Sequence, residues 1–336
     1  MVVSLAAKAT RIFGAPSPDI SRSNAAAVVA ELHEQARRAV DIVASISKLE
    51  AVREDVRKVE VLAVDRSGWA HAAAQFITAL MDRAEADSDD EARRLGGAGD
   101  HDTGRYWLIR KVNGVVEGLS SGLFRVETAA VLAAVSSRVL GQFDLFGNCG
   151  TQGGASRPRL VLVAPNIAAF RERYNLDRRD VCLWVAMHEL THAAQYYSAP
   201  WLEQRIPEMF SEVLAGDLDG LHSEEFARLN AVMSLLEGHA QYVMNHVPIS
   251  HMPSRRRIIT AAADHSKNTG RLWRVIAQNI GLGEKARQYT RGERFIRDVV
   301  DAKGIEYFNQ VWASEHHFPT SAELQQPALW IARMGE

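Results

Sequence analysis

Apolar residues recur every three to four positions over most of the chain, interrupted by glycine and proline, and this spacing predicts a mainly α protein. Residues 23–60 are rich in Ala, Val, Glu and Arg with few breakers, and read as one or two long amphipathic helices. Ser67-Gly68 marks a stop, and residues 69–84 resume the helical period. Residues 85–104 are acidic and then glycine-rich, the composition of a surface loop. Helix is expected again from about Trp107, with glycines between 114 and 122 spaced for close packing and an apolar run over 126–140. Residues 143–158 read as a glycine-rich loop. The one convincing strand is Arg159-Leu160-Val161-Leu162-Val163-Ala164, which ends at Pro165. Further helices are expected at 166–175, 179–198, 204–218, 222–247, 253–266, 270–280, 284–302 and 304–313.

Inside the second of these lies Met187-His188-Glu189-Leu190-Thr191-His192, a His-Glu-x-x-His segment. Residues four apart on a helix are separated by only about 40° around its axis, so both imidazoles can grip one ion. Glu189, about 100° around from His188, can reach a water held by that ion and act as general base. The flanks Val181-Cys182-Leu183-Trp184-Val185-Ala186 and Ala193-Ala194 are apolar, so the segment reads as buried. Three buried polar groups on one turn need a collective partner. A metal is the simplest; histidines that merely hydrogen-bond within the core are the plainer alternative.

A catalytic zinc takes three protein ligands and keeps one position open. The next strong helical pattern has an apolar stripe at Val232, Leu235, Leu236, Ala240 and Val243. Glu237 borders that stripe, 45 residues beyond His192, and Gly238 beside it removes a side chain that would block close approach of helices. Glu237 is therefore the expected third ligand. His239 is its competitor, facing another direction, and is otherwise a supporting or substrate-facing group. Tyr196, one turn after His192, and Tyr242 are the nearest candidates for stabilising an oxyanion, with core aromatics as the plainer reading of both. Thr191 and Gln195 read as packing residues. A strand beside such a helix can take an extended substrate along its edge, a role open to 159–163; the same run also suits a strand buried on both faces.

Three blocks resemble a known family: Leu162-Val163-Ala164-Pro165-Asn166-Ile167, residues 183–192 around the two histidines, and Met233-Ser234-Leu235-Leu236-Glu237-Gly238-His239-Ala240. They are similar to the signature segments of a bacterial zincin-like family of hydrolases or zinc-dependent metalloproteases. One branch of it carries a label associating it with biosynthesis of the deazaflavin coenzyme. Val64-Asp65-Arg66-Ser67-Gly68-Trp69, residues 139–146, Gln288-Tyr289-Thr290-Arg291-Gly292-Glu293-Arg294-Phe295, Phe308-Asn309-Gln310-Val311-Trp312 and Pro327-Ala328-Leu329-Trp330 extend the likeness from about residue 57 to the end. The resemblance implies a mostly helical zincin-like fold: a His-Glu-x-x-His helix, a second helix bearing a glutamate, and little β structure. It implies Zn2+ held by His188, His192 and Glu237. Asn245 departs from the pattern, which more often has an acid after the Val-Met pair.

Composition agrees with a globular chain, 47% hydrophobic and 24% charged over 336 residues. That length suits an N-terminal helical region over 1–104 and a catalytic region over 105–336, or both as one continuous domain. A net charge of −2 gives no electrostatic reason to expect nucleic acid or anionic membrane as a partner. Cys149 and Cys182 make no disulfide framework. The N-terminus lacks a basic leader followed by an apolar core, and no run of about 18 apolar residues occurs, so a cytoplasmic home without a membrane span is expected. The functional expectation is a zinc-dependent hydrolase, a gluzincin-like metallopeptidase acting on a peptide or amide bond. Its alternative is a catalytically silent zinc-bound scaffold serving a coenzyme-biosynthesis complex. Oligomeric state leaves no mark in the sequence.

Overall fold

The computed structural model describes residues 2–13, 22–95, 122–147, 158–215, 224–269 and 289–335. In chain order the N-terminal part comprises α1 (Val2–Phe13), α2 (Arg22–Ser47), strand β1 (Glu60–Val64), α3 (Arg66–Leu95) and α4 (Gly122–Val135). Strands β2 (Gly141–Asp144) and β3 (Arg159–Val163) follow, then α5 (Ala164–Arg173), α6 (Arg178–Ser198) and α7 (Leu202–Ala215). The remainder includes α8 (Glu224–Asn245), α9 (Arg255–Thr269), α10 (Tyr289–Lys303), α11 (Ser321–Gln325) and α12 (Pro327–Met334), with short helical turns over Ile305–Phe308 and Asn309–Trp312 between α10 and α11. The fold is mainly helical, as the apolar spacing predicts.

The three strands form one sheet in the order β1-β3-β2. β3 runs parallel to β1, with Leu62 opposite Val161, and antiparallel to β2, with Gln142 opposite Val161. Its side chains alternate between two cores. Leu160 and Leu162 enter the large core built from α2, α6, α8 and α10, while Val161 and Val163 meet Trp69, Ala70, Ala73 and Leu132 on the other face. Burial on both faces accounts for an unbroken apolar run where a half-exposed strand would alternate. The pairing of β3 corrects the substrate-edge role considered for this strand. β3 is paired on both sides and has no free edge; the outer strand on the α6 side is β2.

Two of the three strands escape the helical reading of the chain. β1 lies where the predicted N-terminal helices end, and β2 occupies the start of the expected glycine-rich loop; both are short and take their pairing from β3. A second correction concerns α3. It starts at Arg66, taking Ser67 and Gly68 into its first turn, and it continues through the acidic stretch to Leu95. Residues 85–95 contain no glycine or proline, so nothing in the backbone stops the helix before Gly96. The expected helices near 107 and at 270–280, the rest of the glycine-rich loop from 148 on, and Cys149 lie outside the described residues.

α6 is buried on nearly every face, from Val181 to Ala194. Asp177 caps it by accepting a hydrogen bond from the Asp180 amide, and the buried Asp180 carboxylate accepts from the amide and hydroxyl of Ser254 at 2.8 and 2.7 Å. Burial raises the Cys182 thiol on this helix to about 12, so it is an inert core group.

α8 and α10 cross with their backbones in contact. A Cβ built on Gly292 would lie 1.8 Å from the Ser234 carbonyl oxygen, and one on Gly238 would lie 2.4 Å from the Glu293 nitrogen. The two glycines permit this approach, which fixes the helix carrying Glu237. Asn245 reinforces the crossing by donating to the Glu293 carboxylate at 2.7 Å. An amide thus serves at the position where the resembling family more often has an acid.

Candidate metal centre

His188 and His192 lie one turn apart on α6, and α8 brings Glu237 across to them. Their ligand atoms all fall within 4.8 Å of one another. Each imidazole Nε2 is 3.7 Å from a different oxygen of Glu237. That is too long for a hydrogen bond. It is close to the roughly 3.3 Å that separates two donors bound tetrahedrally to one ion at zinc–ligand lengths. Two imidazoles and a carboxylate make a donor set suited to a divalent transition metal, so the residues present fit such an ion.

The protonation of the cluster favours the same use. Burial, with His192 adding to it, lowers the His188 imidazole to about 4, so it is neutral at physiological pH and keeps a lone pair for a metal. The ring stacks on Trp184 at 6.0 Å and meets the His192 ring edge-on at 4.9 Å. The Glu237 side chain is 37% exposed, which opens the cluster to solvent on one side.

Glu189 points to the sheet. Its Oε2 accepts a hydrogen bond from the Phe143 amide of β2 at 3.0 Å. Burial raises its carboxyl to about 7, only partly opposed by His192. The carboxylate is therefore poised for proton exchange near neutral pH, and a cation at the cluster would favour its charged form. β2 can pass this close because residue 141 is glycine: a Cβ there would lie 2.8 Å from Glu189 Cγ and 3.0 Å from Oε1. Gly141→Ala is expected to turn the Glu189 carboxylate off its line and, in a reaction that uses Glu189 as its base, to lower kcat roughly 10–100-fold with metal content unchanged. Turnover and metal content measured on the same preparation check this; an unchanged kcat would mean that Glu189 needs no such clearance.

The other candidates divide: His239 backs the group through Gln195, whereas Thr191, Tyr196 and Tyr242 hold other partners. His239 is fully buried, packed against Phe308 and Trp312 at ring distances of 5.6 and 5.2 Å, so it faces no substrate. Burial lowers its imidazole to about 3, and it is neutral. Tyr196 lies beside Phe143 at the rim, but its hydroxyl donates to Glu203 at 2.7 Å. Tyr242 belongs to the large core and packs on His246. Thr191 donates to the Met187 carbonyl within its helix, as a packing residue does.

Gln195 is the correction. It is 1% exposed and touches both halves of the cluster, through His192 Nδ1 at 2.9 Å and the Leu236 carbonyl at 2.7 Å. Its spacing of three from His192 is the only sign of this in the sequence. The roles of Gly141 and Phe143 leave none, because they depend on the pairing of a four-residue strand.

Comparison with known proteins points to a metallopeptidase family. The family model described as zincin-like metallopeptidase matches residues 3–223 and 219–331. Among solved structures, a protein from Chloroflexus aurantiacus described as a "putative hydrolase with a novel fold" superposes with a TM-score of 0.70. It is 25% identical, and the alignment covers 100% of this chain and 97% of that one. No curated protein matches the chain.

Proposed function

The chain belongs to the zincin-like metallopeptidase family, and from that premise we propose that it is a zinc-dependent hydrolase cleaving a peptide or other amide bond. One observation carries this reading. The His188, His192 and Glu237 donors converge on a solvent-facing point, while the buried Glu189 carboxylate stands beside them, outside the donor set. A structural metal site has no use for such a group.

In this reading His188, His192 and Glu237 hold the zinc, which when bound activates water and polarises a carbonyl. Glu189 takes the proton from the attacking water onto its carboxylate and delivers it to the leaving nitrogen. The Phe143 amide holds that carboxylate in place between the two transfers. Because the Phe143 N–H turns from β3 toward Glu189, the outer edge of β2 adjoins the base. An extended peptide lying along this edge would bring its scissile bond to Glu189, which favours a peptide over a compact amide substrate.

The test is direct. Purified protein is expected to contain one zinc per chain. It should cleave members of a mixed peptide library, lose that activity on chelation and regain it when zinc is restored. Bound zinc with no cleavage of any peptide or amide would sink the hydrolase reading and leave a metal-bound scaffold.

A further inference from the structure

We propose that Gln195 is a positioning residue that fixes the tautomer of His192 and so presents its Nε2 lone pair to the metal. This inference rests on the metal-site reading above, and it follows from hydrogen-bond donors and acceptors alone. The Leu236 carbonyl oxygen can only accept. The Gln195 atom 2.7 Å from it must therefore be the amide nitrogen, Nε2. The other end of the amide, Oε1, then faces His192 Nδ1 at 2.9 Å. An amide oxygen also can only accept, so His192 Nδ1 must carry the ring proton. An imidazole that binds a metal has one ring proton to place, so a proton on Nδ1 leaves Nε2 bare, and Nε2 is the atom 3.7 Å from Glu237.

The second proton on Gln195 Nε2 closes the set. It points to His239 Nδ1 at 3.1 Å, where the neutral ring accepts. Gln195 thus gives both amide protons to α8 and takes one from α6. The amide cannot turn over without placing an oxygen against the Leu236 carbonyl, so its orientation is locked from the α8 side. Leu236 is also the residue before Glu237. One buried amide therefore sets which nitrogen of His192 faces the ion and ties that ring to the backbone beside the third ligand. Partners behind a metal-binding histidine commonly fix its tautomer in this way, and losing them costs about 10–100-fold in metal affinity.

The test separates this role from simple packing. Long-range 1H–15N NMR spectra of the metal-free protein read the protonated nitrogen of each histidine without any zinc present. The wild type should show His192 protonated at Nδ1. Gln195→Leu removes the acceptor at similar volume and should give mixed or Nε2-protonated His192, with zinc affinity 10–100-fold weaker in chelator competition. Gln195→Met removes the amide at nearly the same length and should give the same loss of the Nδ1 form and of affinity, so it serves as the second variant if the leucine protein does not fold. An Nε2-protonated His192 in the wild type would overturn the proposal, as would a tautomer unchanged in Gln195→Leu. Failure of the wild type to bind zinc at all would instead overturn the metal-site reading, while the tautomer assignment would still stand or fall on the spectra.

Discussion

In the proposed zinc-dependent hydrolysis, replacing Glu189 by glutamine is expected to lower the rate about a thousandfold while the zinc stays bound. Glutamine has nearly the same shape, and its Oε1 can accept the Phe143 amide hydrogen bond that now holds the carboxylate. The three donors to the metal are untouched, because Glu189 is not among them. What the amide cannot do is take a proton from water and hand it to a leaving nitrogen. A positioned general base contributes about 10²–10⁴ in rate, and here one group serves both proton transfers. The loss should therefore appear in kcat, with KM and metal content close to those of the wild type. Residual activity above a tenth of wild type would remove Glu189 from the proton path. Loss of zinc in the variant would mean that Glu189 helps to hold the ion, a different site from the one described.

The second large effect is expected far from the chemistry, at Gly292. Gly292→Ala should destabilise the protein by about 3 kcal/mol or more, the upper end of what overpacking costs. Within a helix, alanine ordinarily gains up to about 1 kcal/mol over glycine, and less in a first turn such as the one that holds Gly292. That gain is outweighed because the new Cβ would sit 1.8 Å from the Ser234 carbonyl oxygen and 2.6 Å from its carbon. Both are backbone atoms, so no rotamer change can make room. The reciprocal contact at Gly238 is equally rigid, with the backbone of Gly292 and Glu293 2.4 Å from its hypothetical Cβ. The helices must separate, and α8 carries Glu237 next to Gly238. The midpoint of thermal unfolding should fall by roughly 4 °C or more for a chain of this length, and zinc should bind more weakly than to wild type under the same conditions. A midpoint equal to or above wild type would show that α8 and α10 do not cross backbone to backbone.

These two positions differ in how far they could be read in advance. Glu189 is legible because its meaning is local: a helix of 3.6 residues per turn puts His188, Glu189 and His192 in fixed angular relation wherever the helix lies. The meaning of Gly292 is not local. Nothing in Thr290-Arg291-Gly292-Glu293 indicates that Ser234 will lie against it, although Gly238 beside Glu237 does suggest a close approach of some helix. Tyr196 is a case in the other direction. Its spacing from His192 suggests a role on the ligand face, but Glu203 on α7 holds its hydroxyl.

The sequence alone determined the helical class, the burial of α6 and the two-histidine, one-base turn, because each follows from periodicity or spacing within a single element. It also nominated Glu237, through an apolar stripe that sets one face of α8 toward a core. Tertiary structure decided the rest. β1 and β2 are strands because β3 pairs with them, and β3 has no free edge because both its sides are taken. Gln195 became the link between His192 and Leu236 only when α6 and α8 packed side by side. The division has one physical cause: a helix carries its geometry in its own backbone bonds, whereas a sheet register, a helix crossing or a buried amide bridge depends on atoms contributed by distant parts of the chain.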